Sequence, residues 1–202
     1  MNSARLQQGL QELNIELSES AQLSLLSYLE LLLKWNHSYN LTAITEREAM
    51  VTHHLLDSLS LASYVQGPRI LDVGTGAGFP GIPLAIALPA YEFVLLDSNS
   101  KKLSFIRQAL STLKIPNVKL VHSRVESFDD SLGFSDIMAR AVSSLSQLIK
   151  DSQHLVASGG QWLLMKGIYP TEELNDIQRA YKIERLEVPG LAAERHLVIV
   201  KE

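Results

Sequence analysis

The chain has 202 residues, of which 46% are hydrophobic and 20% charged, and its formal net charge is −4. This length and composition predict an ordinary globular protein and exclude a disordered chain. Because the sequence has no cysteine, disulfide bonds, cysteine-ligated zinc, iron–sulfur clusters and thiolate nucleophiles are excluded. No apolar run has the length of a membrane span and no secretion signal is visible at the start, so we expect a cytoplasmic protein that binds no membrane.

The charges are unevenly distributed along the chain. Residues 1–66 contain three basic and seven acidic side chains, whereas residues 67–202 contain fifteen of each. A nucleic-acid partner would therefore have to be bound by basic side chains of the second part.

Residues 1–66 are predicted to be helical. Ser18 is a typical N-cap, and the apolar residues that follow it recur at helical spacing. The polar stretch 36–40 interrupts this pattern, and a second helix is predicted over 47–62. We expect residues 1–66 to form a helical extension that packs on a core domain of residues 67–202, as one compact unit.

Strand and helix patterns alternate through the second part. Strands are predicted at 69–73, 92–97, 118–122, 134–140, 160–166, 182–188 and 195–201, and helices at 82–88, 101–113, 145–156 and 172–181. This alternation predicts an α/β fold with a mostly parallel seven-stranded sheet covered by helices on both faces. The loop between the last two strands is too short for a helical crossover, so these strands are predicted to pair antiparallel.

The strongest motif is LDVGTGAGFPG at residues 71–81, which joins the first predicted strand of the sheet to the next helix. Gly74, Gly76 and Gly78 allow the backbone to turn tightly and to approach a ligand closely. A dinucleotide site has the spacing G-x-G-x-x-G instead, and the carboxylate of Asp72 would repel a pyrophosphate. The same carboxylate would attract the ammonium and sulfonium of S-adenosylmethionine, unless Asp72 only caps the strand.

Two further sites follow the next two strands. Asp97 ends the second strand, where an acidic side chain accepts hydrogen bonds from ribose hydroxyls; this is true for the methyl donor and for NAD alike. Val125 and Glu126 follow the third strand, where an adenine ring would lie. Val125 could contact that ring and Glu126 its polar edge, although Glu126 could equally be a solvated or helix-capping acid.

Motifs that the sequence lacks narrow the range of methyl acceptors. Methylation of a pyrimidine at C5 generally needs a cysteine nucleophile, and the chain has none. Methylation of an exocyclic amine usually uses a D/N-P-P-Y/F-type loop after the fourth strand, and residues 136–145 contain neither proline nor an aromatic residue. A ring nitrogen with a free lone pair, such as guanine N7, needs only placement in line with the methyl group.

The D-x-G-x-G-x-G pattern resembles the first motif of Rossmann-like, class I S-adenosylmethionine-dependent methyltransferases. The whole chain resembles one family of them, RsmG, formerly called glucose-inhibited division protein B. The resemblance rests on KWNHSYNLT at 34–42, HLLDSL at 54–59, LDVGTGAGFPGIPLA at 71–85, LLDS at 95–98, SRVE at 123–126, ARA at 139–141, KG at 166–167 and ERHL at 194–197. It implies methyl transfer to guanine N7 of bacterial small-subunit (16S) ribosomal RNA, by direct displacement and without a metal.

The resemblance also implies which residues bind the methyl donor: Gly74, Phe79, Val125, Glu126 and Arg140. Phe79 stands where the family often has leucine. Arg140 is the candidate for positioning the reactants, since a guanidinium could bind the donor carboxylate, an RNA phosphate or a guanine edge.

The expected partner is 16S ribosomal RNA, either naked or within the assembling small subunit, with the protein acting as a monomer. The sequence leaves open the roles of Tyr39, Asn40, His54, Asp57, Lys166 and Arg195. Two other functions stay possible on sequence grounds: a small-molecule methyltransferase of the same fold, and a nucleotide-binding regulator without catalysis.

Overall fold

A single seven-stranded sheet organises the molecule in a computed structural model that describes residues 3–140 and 144–202. The strands are β1 (Arg69–Val73), β2 (Glu92–Asp97), β3 (Val118–His122), β4 (Phe134–Arg140), β5 (Val156–Lys166), β6 (Tyr181–Arg185) and β7 (His196–Lys201). Their order in the sheet is β3-β2-β1-β4-β5-β7-β6. All neighbours pair parallel except β7, which runs antiparallel to both β5 and β6, so the predicted sheet is confirmed.

Helices precede the sheet and connect its strands. They are α1 (Ser3–Glu12), α2 (Glu19–Tyr39), α3 (Arg47–Met50), α4 (Asp57–Leu59), α5 (Gly81–Ala87), α6 (Ser100–Leu113), α7 (Leu145–Ser152) and α8 (Thr171–Leu174). A π-helical segment (Val51–Leu56) joins α3 to α4, and 3₁₀ turns occur at Ala62–Tyr64 and Val125–Ser127. No helix of the described ranges combines the length and apolarity needed to cross a membrane.

The prediction for the helix that follows Ser18 was correct at its N-terminus and wrong at its C-terminus. Ser18 caps α2 by accepting a hydrogen bond from the backbone N–H of Ala21 at 3.2 Å. The polar stretch 36–40 does not interrupt α2, which continues to Tyr39 and ends at Asn40 in a left-handed conformation. The polarity of Asn36 has another cause: its side chain exchanges two hydrogen bonds of 2.9 Å with the backbone of Thr42, just past the helix end.

Three other predicted helices differ from the structure. The helix predicted over 47–62 is a composite, because the π-helical segment adds a residue per turn between α3 and α4. The helix predicted over 145–156 ends at Ser152, because Val156 already pairs with Phe134 of β4. The helix predicted over 172–181 is only the four-residue α8, and Tyr181 begins β6. The motif at 139–141 is described as far as Arg140; residue 141 lies outside the described ranges.

The sheet separates two hydrophobic cores, as the alternating side chains of its central strands require. On β2, Phe93 and Leu95 face one core, whereas Val94 and Leu96 face the other. The first core also contains the buried leucines of α1, α2 and the π-helical segment, together with residues of α5 and α6. The N-terminal helices therefore cover the same face of the sheet as α5 and α6.

Tyr28 of α2 fixes the helical segment to the loop that follows β1. Its side chain is fully buried, and its hydroxyl donates a 2.6 Å hydrogen bond to the carbonyl oxygen of Ala77. Its ring contacts Phe79 edge-on at 5.7 Å between centroids and Phe105 of α6 at 5.5 Å. Burial, followed by the nearby charge of Asp72, raises the pKa of the Tyr28 hydroxyl well above its ordinary value, so this group is a donor at every physiological pH.

We expect Tyr28→Phe to lower the free energy of unfolding by about 1–3 kcal/mol, because the buried carbonyl of Ala77 loses its hydroxyl partner while the packing is retained. Urea denaturation measures the loss. Tyr39→Phe is the matched control, since the Tyr39 side chain is 41% exposed and should be insensitive to the change. Equal stability of the Tyr28 variant and the unaltered protein would contradict the prediction.

Candidate active site

The loop after β1 lies at the point where the order of the sheet reverses. β1 pairs with β2 on one side and with β4 on the other, and the chain visits these neighbours in separate excursions. In open α/β sheets, ligands bind at the carboxyl ends of the strands beside such a reversal. The glycine motif, the end of β2 and the end of β4 therefore meet at the edge where a ligand site is expected.

The backbone amides of the glycine loop are bonded within the protein. The N–H groups of Gly74 and Thr75 both donate to the carbonyl oxygen of Leu96, at 2.8 and 3.1 Å. The N–H of Gly76 donates to Oδ2 of Asp97 at 2.8 Å. A pyrophosphate site needs such amides as donors, so the loop disfavours a dinucleotide.

The three glycines of the motif face different surroundings. A Cβ built on Gly74 would meet no atom within 4 Å, and one on Gly76 would meet its nearest atom at 3.8 Å. A Cβ built on Gly78 would instead lie 2.3 Å from the hydroxyl oxygen of Tyr28. Gly74 thus borders open space and Gly76 has room for ordinary contact, whereas Gly78 makes room for the docked helix α2.

Asp72 is a buried carboxylate directly beneath this loop. Its Oδ2 accepts hydrogen bonds from the Thr75 hydroxyl at 2.7 Å and from the Gly81 N–H at 3.0 Å. Its Oδ1 is buried and has no hydrogen-bond partner among the described residues. Burial raises the pKa of Asp72 to about 7, against the opposing effects of the two hydrogen bonds and of Arg140.

Asp97 and the segment after β3 stand beside the open side of the loop. Besides binding Gly76, the Asp97 carboxylate accepts a 2.7 Å hydrogen bond from the N–H of Asn99. Each carboxylate oxygen has lone pairs for a further bond. Val125 is buried in the second core, while Glu126, in the same 3₁₀ turn, is exposed.

Phe79 is buried among the side chains of Tyr28, His54 and Arg140. Its ring stacks on His54, with 4.6 Å between centroids and 16° between planes, and the guanidinium of Arg140 lies 5.3 Å from the ring centroid. The Phe79 side chain is 4% exposed, so it supports the site from beneath. His54 is held in turn by a 2.9 Å hydrogen bond between its Nε2 and the Thr42 hydroxyl.

His54 is neutral where it packs. Burial and, next, the positive charge of Arg140 lower its pKa to about 4, while a backbone hydrogen bond of His53 acts in the opposite direction. A neutral ring suits a position between an aromatic ring and a buried hydroxyl.

Arg140, at the end of β4, belongs to a charged cluster. Its Nη1 donates to Oδ2 of Asp57 and to the carbonyl oxygen of His53, both at 3.1 Å. The other carboxylate oxygen of Asp57 accepts a 2.7 Å bond from Nε of Arg195. A cavity of about 380 Å³ adjoins these groups and is also lined by Lys166 and Gly167. Lys166 is bonded to both carboxylate oxygens of Glu173 at 2.8 Å.

The structure brings together most of the residues that the sequence singled out, and separates one group. Asp72, the three glycines, Asp97 and Arg140 surround the ends of β1, β2 and β4. Tyr39 is exposed and its ring contacts Trp35 at a tilt of 32°, and Asn40 ends α2. His54 and Asp57 do not bond to each other, although they are three residues apart. The sequence interpretation missed Tyr28 and Thr42, whose roles depend on tertiary contacts and give no local signal.

Groups of acidic and histidine side chains that could hold a metal do not occur within residues 3–140 and 144–202. The site consists instead of a turn with open space above it, carboxylates on two strands and a guanidinium on a third.

Solved structures of low sequence identity share this fold. A solved structure described as a SAM-dependent methyltransferase from Aquifex aeolicus superposes with a TM-score of 0.59 at 16% identity, over 76% of this chain and 92% of that one. The chain thus has the Rossmann-like fold of S-adenosylmethionine-dependent methyltransferases.

The particular family follows from sequence comparison. The model of the family rRNA small subunit methyltransferase G matches residues 21–198. Relatives described as ribosomal RNA small subunit methyltransferase G include one from Coxiella burnetii (strain RSA 331 / Henzerling II), 51% identical over 98% of this chain and 97% of its own length. Another, from Chromobacterium violaceum, is 48% identical over the same shares. The chain belongs to the rRNA small subunit methyltransferase G family, and the resemblance is confirmed.

The glycines predict a difference in stability between two equivalent substitutions. Gly74→Ala should cost about 1–2 kcal/mol of unfolding free energy, the strain of a side chain at its φ of +67°. Gly78→Ala should cost about 1–3 kcal/mol more, because its Cβ would also overlap the Tyr28 hydroxyl. Chemical denaturation of both variants tests this order, and equal losses would refute the assignment of Gly78 to helix docking.

Proposed function

We propose that this protein transfers a methyl group from S-adenosylmethionine to N7 of one guanine in bacterial 16S ribosomal RNA. The observation that supports S-adenosylmethionine as the methyl donor is the buried, unpartnered oxygen of Asp72 beneath an open glycine loop. The acceptor is proposed from the names of the relatives, which are ribosomal RNA small subunit methyltransferases. The chemistry expected for N7 fits a chain without cysteine.

The donor fits the residues at this edge of the sheet. Oδ1 of Asp72 has the negative character and the missing partner that an ammonium group would satisfy. Gly74 and Gly76 leave space for close approach, and Gly78 keeps the loop in place by accommodating Tyr28. When bound, S-adenosylmethionine supplies an electrophilic methyl group on a sulfonium.

The nucleoside end of the donor is proposed to lie over β2 and β3. Asp97 retains lone pairs for ribose hydroxyls while its bonds to Gly76 and Asn99 hold it in place. Val125 offers an apolar wall for the adenine, and Glu126, which is exposed beside it, lies at the polar edge.

Arg140 is proposed to position the reactants, with Phe79 as its support. Two of its bonds go to Asp57 and to the carbonyl of His53, and its Nη2 has no partner among the described residues, so it can bind the donor carboxylate. Guanine N7 carries a lone pair at neutral pH, so no side chain has to remove a proton first. Catalysis then rests on placement and charge compensation.

We also propose that residues 1–66 and 67–202 act as one unit and that the protein is a cytoplasmic monomer. The shared first core and the contact between Tyr28 and the glycine loop support the single unit. The cytoplasm is proposed because bacterial ribosomes are assembled there. Ribosomal RNA is the partner in either form, naked or within the small subunit.

Donor affinity should depend on pH through Asp72. Its carboxyl group has a pKa of about 7, so it is mostly protonated at pH 6, and an ammonium beside Oδ1 favours the ionised form. Binding therefore releases a proton below pH 7, and affinity should rise up to about tenfold per pH unit towards pH 7, then level off. Isothermal titration in buffers of different ionisation enthalpy measures the released proton.

Asp72→Asn is the control for that measurement. The amide cannot ionise, so the variant should bind the donor more weakly and without the dependence on pH between 6 and 7. An unaltered protein that binds the donor equally well at pH 6 and pH 7, with no proton release, would remove Asp72 from the ammonium site.

The acceptor atom is tested chemically. Ribosomal RNA from cells that contain the protein should be cleaved by aniline, after borohydride reduction, at one guanine of the small-subunit RNA. That behaviour is characteristic of N7-methylguanosine, because N7 methylation weakens the imidazole ring. RNA from cells that lack the protein should resist cleavage until purified protein and donor are added.

The outcome separates the proposed atom from the proposed donor. A methylated product that resists aniline, or that maps to another base, would refute N7 while leaving the donor site standing. Donor binding without transfer to ribosomal RNA, naked or in small subunits, would favour a regulator that does not catalyse.

A further inference from the structure

The cavity beside the donor site has a charged cluster on its wall that the donor does not explain. The cluster joins three distant parts of the chain: Asp57 at the start of α4, Arg140 at the end of β4 and Arg195 just before β7. The Asp57 side chain is 1% exposed, and each of its oxygens binds one guanidinium. One buried carboxylate thus fixes two arginines that line the same cavity of about 380 Å³.

The cluster carries one positive charge in excess, since two guanidinium groups share one carboxylate. Lys166, on the same cavity, is compensated by Glu173. Arg195 bonds through Nε to Asp57 and through Nη1 to the carbonyl of Glu194, and its Nη2 has no partner within the described ranges. Arg195 therefore still offers N–H donors, and its side chain is 21% exposed.

The proposed acceptor indicates which group the free N–H groups of Arg195 bind. Methyl transfer moves one positive charge from the donor sulfonium to the guanine, and an uncompensated cation in the adjoining cavity would oppose that charge at its new position. The donor carboxylate is the anion proposed for Arg140, and a backbone phosphate is the anion that an RNA acceptor brings to Arg195. The guanidinium fork binds phosphate oxygens strongly and in a defined direction, as a lysine does not.

We propose that Arg195 binds a phosphate of the acceptor RNA, and that Asp57 is the positioning residue that holds Arg195 next to Arg140. This inference rests on the proposed function, since it needs an RNA acceptor. It assigns the two arginines separate tasks: Arg140 serves the donor side and Arg195 the acceptor side. Asp57, contributed by the helical segment, sets their separation.

Arg195→Gln tests the phosphate contact. The variant should bind the small-subunit RNA at least tenfold more weakly at about 0.1 M salt, since a hydrogen bond to a charged group is lost. The slope of log affinity against log salt concentration should fall by roughly one. Calorimetric affinity for S-adenosylmethionine should stay unchanged, because Arg195 does not serve the donor.

Two further variants keep the test specific. Arg185→Gln removes the same charge from β6, where the side chain is 67% exposed and paired with Glu187, and it should leave both affinity and slope unchanged. Arg195→Lys retains the cation, so it should restore the salt slope while recovering only part of the affinity.

Asp57→Asn tests the positioning role. The variant retains both arginine charges, so the salt slope should persist, but RNA affinity should fall about tenfold because the amide no longer fixes the guanidinium of Arg195. Urea denaturation shows whether it is folded; if it is not, the comparison of Arg195→Gln with Arg195→Lys still decides the phosphate contact. Asp57→Asn with unchanged RNA affinity would overturn the positioning role.

Failure of the proposed function and failure of the phosphate contact give different results. If the unaltered protein binds the donor but methylates neither naked ribosomal RNA nor small subunits, the proposed function fails. If it methylates RNA and Arg195→Gln merely lowers stability, with the salt slope and RNA affinity unchanged, the phosphate contact is wrong and the cluster serves only to join α4 to β7.

Discussion

The missing side chain of Gly78 is the constraint on which the arrangement of the site depends. The hydroxyl of Tyr28 occupies the place where a Cβ would lie, and it bonds to the carbonyl of the preceding residue, Ala77. Helix α2 is thereby attached to the loop that borders the proposed donor site. A change in that helix would move the loop, and a side chain on the loop would displace the helix.

A second line of contacts leads from the end of α2 to the reactive edge of the sheet. Asn36 bonds to Thr42, Thr42 bonds to His54, and His54 stacks on Phe79. The guanidinium of Arg140 lies 5.3 Å from the centroid of the Phe79 ring. Only a neutral imidazole fits here, because a protonated ring would face the charge of Arg140. The segment 34–42 thus contributes to the site although none of its side chains lines the cavity beside Arg140.

The sequence predicted those parts of the molecule whose cause is local. Each strand from β1 to β4 is a short apolar run between polar turns, and its bounds agree with the prediction. Asp97 was expected near a ribose from its place at a strand end, a role that stays a proposal. Its bond to the Gly76 amide could not be predicted, because it depends on how closely β1 and β2 approach.

The parts that were missed depend on contacts between distant residues. Asp57 and Arg195 are 138 positions apart, and nothing in either segment indicates the pair. A π-helical turn cannot be told from an α-helical one in a short sequence pattern. Residues 47–62 were therefore expected to form one regular helix. The helix predicted over 172–181 ends at Leu174, and Tyr181 already pairs with Val200 of β7.

The internal bonds of the glycine loop have a consequence for which molecules compete for the site. In a cell, the adenine nucleotides that carry phosphate groups are the natural rivals of an adenosine-containing methyl donor. The amides at Gly74, Thr75 and Gly76 already bond to Leu96 and Asp97, so these three groups are not available to a phosphate, and an ionised Asp72 would repel it. We therefore expect this loop to favour an adenosine-containing ligand without phosphate over those nucleotides.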